Sequence, residues 1–351
     1  MRALVVVAVV AQLGGCSTVT YLAQQGIGQL RIMHSRRRIT EVLGDPTVKA
    51  DTKARLQLAV SARAFGIEVL GLRGGDAYTR FVDTEGRPLA WNVWAAPKDR
   101  LRPVRHHFAI AGDVPYLGYF RERDALRKQA ELEARGLDTF VGEVAGYSTL
   151  GITSDPVFSS MLEGSPAHIV EVTLHEMLHG TLYLPGHSDW NESLATFVGL
   201  RGAALFFAAT GGGGGAKAAK NVFLEAAARQ KQAERFSQFL QPFVHQLETL
   251  YAGPSSLEEK LRAREVIFQR IRDSFVVQFP AKPGKKPSQF ARAPLNNAVL
   301  AVHATYHGET PEHARVLDKL HGDLASFIRL YKHAVNDEDD PLAYLKRYKS
   351  R

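Results

Sequence analysis

The sequence predicts an α+β fold that is predominantly helical, with a small β-sheet preceding a helix pair and a helical C-terminal region. Three observations carry this. Residues 121–135 and most of the chain after 165 show helical spacing of apolar residues among Ala, Leu, Glu, Arg and Lys. Aromatic and β-branched stretches broken by turn residues are confined to roughly 77–150. Ser165-Pro166 is a helix-start signal, and the segment it opens carries His175-Glu176-Met177-Leu178-His179. A chain of 351 residues, 45% hydrophobic and 23% charged, has the composition and length of a soluble globular protein with a real core.

Met1-Arg2 precedes an apolar run from Ala3 to Val10, and then Leu13-Gly14-Gly15-Cys16. That run is too short to span a bilayer and reads as a secretory signal. Small residues before a cysteine resemble the bacterial lipobox, in which the cysteine is lipidated and becomes the mature N-terminus. Residues 1–16 are therefore expected to be a lipoprotein signal peptide with Cys16 as the lipidation site; the alternative is a plain signal with an incidental cysteine. Ser17 in place of Asp resembles the sorting pattern of the outer membrane, which implies a lipid anchor on its periplasmic side in a Gram-negative bacterium. Cys16 is the chain's one cysteine, so no intramolecular disulfide forms.

Residues 17–135 are expected to hold N-terminal helices and part of the sheet. Helices run from 17 to about 72, broken by Gly26 and Gly28 and by a turn at Asp45-Pro46, with Leu56, Val60, Phe65, Val69 and Leu70 on the second. Tyr78–Val82 reads as a strand, Asp83–Gly86 as a turn and Leu89–Trp94 as the return strand. His107–Ile110 and Tyr116–Phe120 are further short strands, and Arg121–Arg135 is a helix. Residues 136–210 form the expected core unit. Thr139–Val144 and Tyr147–Leu150 are a strand with a bulge near Gly146, followed by the His-Glu helix and a helix over Asn191–Thr210. Gly211–Gly215 heads a linker over 211–218. It is no phosphate loop, because Lys217 is followed by Ala218. Residues 219–351 are helical: Asn221–Tyr251, Ser256–Val276, Asn296–His307 and His313–His333, with a Pro/Lys/Gly loop at Phe279–Ser288 and a polar tail.

The chemistry concentrates at one helix. Residues four apart share a face, so His175 and His179 can hold one metal ion, and Glu176 can reach its open position as a base. A catalytic zinc needs a third protein ligand. Glu192 is the first choice, because Asn191-Glu192-Ser193-Leu194-Ala195 opens a helix that can fold back, with small residues for close approach. Asp189-x-x-Glu192 is also a capping-box pattern. Asp189 and His187 are the other candidates. The metzincin spacing is absent, since Leu182 and Pro185 stand where it needs Gly and His. The net charge of +8 and pI near 9.5 come without an aromatic-interleaved basic patch, so nucleic acid is not an expected partner.

These residues bring a family into view. Ala145–Gly151 with Asp155-Pro156, His175–His179 and Asn191–Val198, supported by Trp91–Trp94 and Leu295–Ala298, resemble the predicted-aminopeptidase family of proteobacterial lipoproteins. The resemblance spans most of the chain. It implies a gluzincin-like, zincin-type helix pair and a Zn2+-dependent metallopeptidase, with His175, His179 and Glu192 as ligands and Glu176 as base. Zinc rather than another divalent ion rests on ligand type. In such a site a second electrophile holds the oxyanion; Tyr147, Tyr306, Tyr183 and His303 are the candidates. The substrate is expected to be a peptide, added as a strand along Gly142–Leu150. Glu143 and Glu163 are candidates for its ammonium group. The competing expectation is a non-catalytic envelope lipoprotein that acts as a scaffold through its long C-terminal helices.

Overall fold

The computed structural model describes residues 16–108, 112–144, 154–210, 216–280, 289–292, 294–307 and 310–348. The first part of the chain comprises α1 (Cys16–Ser35), β1 (Arg37–Arg38), α2 (Ile39–Gly44), α3 (Ala50–Glu68), β2 (Arg80–Val82), β3 (Ala90–Ala96), β4 (His106–Phe108), β5 (Gly112–Val114) and β6 (Tyr116–Tyr119). Then come α4 (Glu122–Ala134), β7 (Asp138–Val144), β8 (Val157–Phe158), α5 (Pro166–Thr181) and α6 (Ser188–Thr210). The C-terminal part is α7 (Ala216–Ala252), α8 (Leu257–Gln278), α9 (Gln289–Arg292), α10 (Asn297–His307), α11 (Thr310–Lys319), α12 (Leu324–Asp337) and α13 (Pro341–Arg347). The fold class is the predominantly helical α+β one that the sequence predicts.

The strands do not form one sheet. Among the described residues they make a β6-β3-β7 antiparallel sheet, a β1-β2-β8 sheet and a β4-β5 ribbon. The expected hairpin of Tyr78–Val82 with Leu89–Trp94 is therefore wrong. The turn exists, with Glu85 and Gly86 at positive φ, but β2 and β3 are both central strands. β2 pairs with β1 on one side and runs parallel to β8 on the other, while β3 lies between β6 and β7. A turn signal specifies a reversal of the chain, not its partner.

Other boundaries shift for local reasons. α1 runs straight through Gly26 and Gly28. Gly28 is there for contact: a Cβ would stand 2.0 Å from the Phe120 ring, and that packing outweighs the roughly 1 kcal/mol a glycine costs inside a helix. α6 begins three residues before Asn191, so Asp189 lies inside the first turn instead of capping it. Residues 216–218, expected in the linker, are the first of α7, whereas Gly211–Gly215 lie outside the described residues. The expected polar tail contains α13, whose N-cap Asp340 accepts from Ala343 N.

Among the described residues, two large apolar cores stand beside two small clusters on the faces of the β6-β3-β7 sheet. The larger unites α3, α5, α6, α11 and α12 around Leu174, Met177, Phe197, Phe206 and Phe327. The second is a phenylalanine-rich cluster of α7, α8, α9 and α10, including Phe239, Phe268, Phe275 and Phe290. α6 is long and apolar enough to cross a membrane, but it is a packed helix of the larger core. A buried polar node ties the second core to the sheet. Arg264 donates to both carboxylate oxygens of Asp138 (2.7 and 3.3 Å), and the Asn297 amide N–H donates to the same carboxylate at 3.0 Å. The Tyr251 hydroxyl donates to the Asn297 side chain. Arg264 Nε makes no hydrogen bond and stands 3.3 Å from the Glu265 carboxylate, and a buried pair with this many partners is tolerated in a low dielectric.

His313 is wholly buried against Trp190, Phe197 and Phe327, with Nδ1 hydrogen-bonded to the Tyr331 hydroxyl at 2.9 Å. Burial, then the nearby charge of Arg201, pushes its pKa down to about 3. Unfolded, it titrates near 6.5, so on acidification the unfolded chain takes the proton first. The stability owed to the neutral ring is complete above pH 6.5 and is lost as pH falls through 6.5 towards 3. From pH 6.5 to 4.5 the loss is about 2–3 kcal/mol. Urea midpoints measured across that window should fall less steeply in His313→Asn, whose amide replaces the Nδ1 contact without the titration. Parallel acid limbs in the two proteins would refute this.

Candidate metal centre

α5 is built as the sequence suggests. Ser165 accepts from His168 N, Pro166 occupies the first turn, and Ile169, Val170, Leu174, Met177 and Leu178 are buried in the main core. The helix passes Gly180 and ends at Thr181. The opposite side carries His175 and His179, whose rings stand edge to face with centroids 4.8 Å apart.

α6 packs against α5 at backbone contact. A Cβ at Gly199 would lie 2.7 Å from Glu171 O, and one at Gly202 would lie 2.6 Å from the Leu174 side chain. The close approach thus depends on these two glycines as well as on fully buried Ser193 and Ala195. The connection between the helices is fastened by buried Asn191. Its Nδ2 donates to Leu184 O (2.8 Å) and its Oδ1 accepts from Leu184 N (2.9 Å). This fixes the first turn of α6 and directs Glu192 at the two histidines.

The result is a three-donor cluster. His175 Nε2 and His179 Nε2 are 3.1 Å apart, and Glu192 Oε2 lies 3.4 and 3.6 Å from them. Donors about 2.0–2.1 Å from a tetrahedral ion stand about 3.3 Å from one another, so these residues fit a zinc-sized cation. Among the described residues this is the His/Cys/Asp/Glu group that could hold a metal ion. Burial favours a neutral Glu192, but the charges and hydrogen bonds of His179 and His175 outweigh it and hold the carboxyl well below the usual range. Burial lowers His179, and Glu192 more than reverses that.

Glu176 differs. It is 8% exposed, and its Oε2 has no hydrogen-bond partner. Burial raises its pKa; the histidines oppose this, and the charges of Glu192 and Asp155 add to it. A buried carboxylate oxygen with no partner is costly unless something is brought to it. It faces a cavity of about 1310 Å3 between α5, α10 and the β6-β3-β7 sheet.

The other sequence candidates fall out as follows. Asp189 pairs with Arg105, and both Asp189 and His187 line a separate cavity of about 210 Å3, so neither joins the cluster. The capping-box alternative for Glu192 falls with the earlier start of α6. Tyr183 and His303 line the main cavity. Tyr147, like Gly146 and the expected Tyr147–Leu150 strand, lies outside the described residues. Tyr306 falls on α10, but its side chain is outside them too. Glu143 is on the cavity wall, whereas Glu163 is exposed on a turn and is not among the residues lining it.

Tyr116 is the residue that sequence reasoning missed. It faces Trp94 across β6 and β3, with ring centroids 4.9 Å apart, and lines the cavity. Burial and then the charges of Glu192, Tyr183 and Glu176 raise its pKa well above the ordinary value. It is a protonated phenol close to both the cluster and Glu176. Its strand was legible, but which face meets α5 is settled only by sheet packing.

Fold and site define the class: a predominantly helical α+β protein with a His-Glu-x-x-His helix, a carboxylate from the next helix and a buried glutamate on one large cavity. Residues 20–340 match the model of a family described as "putative aminopeptidase", and the chain belongs to that family. No curated protein and no solved structure matches it. Membership supports a peptidase-like function.

The α5–α6 contact is testable. Gly199→Ala should lower stability by about 1–3 kcal/mol and reduce bound divalent metal together, since the methyl meets Glu171 O. Calorimetry with metal analysis reads both; wild-type values for each would show that the contact does not set the site.

Proposed function

We propose that this protein is a zinc-dependent metallopeptidase, acting as an aminopeptidase, with His175, His179 and Glu192 holding the ion and Glu176 as the proton-transferring base. The observation that carries the reading is the cluster at 3.1, 3.4 and 3.6 Å with the unpartnered Glu176 oxygen beside it. A bound divalent ion supplies Lewis acidity to a peptide carbonyl and eases deprotonation of water.

The chain's own residues supply the rest. Glu176, already biased towards accepting a proton, takes one from the attacking water and passes it to the departing amine. Tyr116 and Tyr183, cavity-lining hydroxyls that feel the charge of Glu192, are the candidate donors to the developing oxyanion. A peptide has a strand to join. β7 is an edge strand whose other edge has no sheet partner among the described residues. Thr139 O on that edge accepts from Asn296 Nδ2. By strand alternation the Val141 and Glu143 peptide groups point the same way, next to the cavity.

Glu176→Gln should retain zinc and lose peptide hydrolysis by about 10²-fold or more, whereas Glu192→Ala should lose most of the zinc. Mass spectrometry of metal content with a peptide-hydrolysis assay reads both. Zinc unaffected by Glu192→Ala would break the ligand assignment, and full turnover in Glu176→Gln would break that of the base.

The same reading places the protein on the periplasmic side of the outer membrane, held through lipid on Cys16. The lipobox-like Leu13–Cys16 supports this. Cys16→Ser should move the protein from the membrane fraction to the soluble one and abolish labelling by a fatty-acid probe; labelling that persists would rule out this anchor.

A further inference from the structure

One face of the β6-β3-β7 sheet is the floor of the large cavity. Ala90, Asn92 and Trp94 alternate onto it from β3, and all three line the cavity. Strand register sets the rows. Tyr116, Trp94 and Phe140 form an aromatic row across the three strands. The next row is Gly118, Asn92 and Gly142, and beyond it Ala90 opposes Val144. Tyr116 feels the charges of Glu192 and Glu176, so the aromatic row is the one beside the metal cluster.

Asn92 carries the hydrogen-bonding side chain of the two rows beyond the aromatic one; its companions there are Gly, Ala and Val. It is half-buried, and among the described residues its amide has no hydrogen-bond partner. A polar side chain kept for the fold is ordinarily bonded to it. The residues on either side of Asn92 are glycines, and glycine inside a strand marks a place where a ligand or another backbone comes close. A Cβ at Gly118 would stand 3.3 Å from Asn92 Oδ1, so the amide lies over that glycine. A Cβ at Gly142 would stand 3.0 Å from the Phe140 ring, which leans over the other. The floor next to the aromatic row is therefore low and presents one amide to the cavity. An asparagine amide offers donors at Nδ2 and an acceptor at Oδ1, the complement of a second amide.

We propose that Asn92 is a specificity-determining residue that binds an amide group of the substrate, with Nδ2 donating to its carbonyl and Oδ1 accepting from its N–H. This rests on the metallopeptidase reading and names a substrate group that its cavity selects. Asn92 is two residues from Trp94 along β3, about 7 Å, so the amide it holds is not the one at the metal cluster. That amide has two sources with the same chemistry. A peptide drawn across the floor offers a main-chain peptide group, and a peptide joined to β7 offers a glutamine side chain that points over this face.

The test uses the full-length, zinc-treated protein carrying Glu176→Gln, with and without Asn92→Ala. Two sets of labelled alanine-based octapeptides are compared by fluorescence anisotropy. In the first, each alanine in turn is replaced by lactic acid, which turns one peptide bond into an ester and removes its N–H. In the second, each alanine in turn is replaced by glutamine or by norleucine. A lactic-acid peptide that binds about three- to tenfold more weakly assigns the main chain, and a glutamine peptide that binds more tightly than its norleucine partner by the same factor assigns the side chain. Either difference should vanish in Asn92→Ala, which should keep the zinc content and thermal midpoint of its parent. No such difference in either set, a difference that survives Asn92→Ala, or loss of zinc or stability in that variant overturns the proposal. Binding is read without turnover. Lack of hydrolysis by the unsubstituted protein would therefore count against the peptidase reading alone.

Discussion

The contact on which the site depends is the approach of α6 to α5 at Gly199. With no Cβ there, the Glu171 carbonyl can sit where a methyl would otherwise be. The two helix axes then run close enough for a carboxylate on the second to reach imidazoles on the first. Interiors are close-packed, so a separation of this kind is not adjustable by small degrees. The Asn191 clamp on Leu184 sets the other coordinate, the phase of α6, by tying its first turn to the connection from α5. One constraint fixes distance and the other fixes rotation. Together they bring Glu192 Oε2 within 3.6 Å of both histidine nitrogens.

Away from the site, several buried charged groups are matched. Asp138, Arg264 and Asn297 exchange charge-assisted hydrogen bonds that join the sheet to the C-terminal helices, and Arg229 answers Glu171. Glu176 is the contrast, a carboxylate in the same low-dielectric interior with one oxygen left over. An unpaired carboxylate oxygen on a cavity wall is an electrostatic cost that a bound group would relieve.

Much of the frame was legible in the sequence because it depends on local rules. The Ser165-Pro166 start fixed the phase of α5, and helical spacing put His175 and His179 on one face. The composition of 121–135 gave α4, and helical spacing over Ser256–Val276 gave α8. The misreadings are those where a distant partner overrode a local signal. Gly28 does not break α1 because Phe120 packs over it. Asp189 does not cap α6 because it lies inside the first turn, paired with Arg105. β2 and β3 do not form a hairpin because each is claimed on both edges by other strands.

The sequence by itself determined the predominantly helical α+β class, the pair of histidines on one helix face with Glu176 between them, and Glu192 as the leading third donor. These follow from spacing along a single chain, which helix geometry converts directly into direction. Only the tertiary structure brought Glu192, and not Asp189 or His187, up to the two histidines, and Tyr116 to the cavity wall. Those outcomes depend on the packing of helices and the order of strands in a sheet. Contacts between residues far apart in sequence set them, and no local periodicity encodes them.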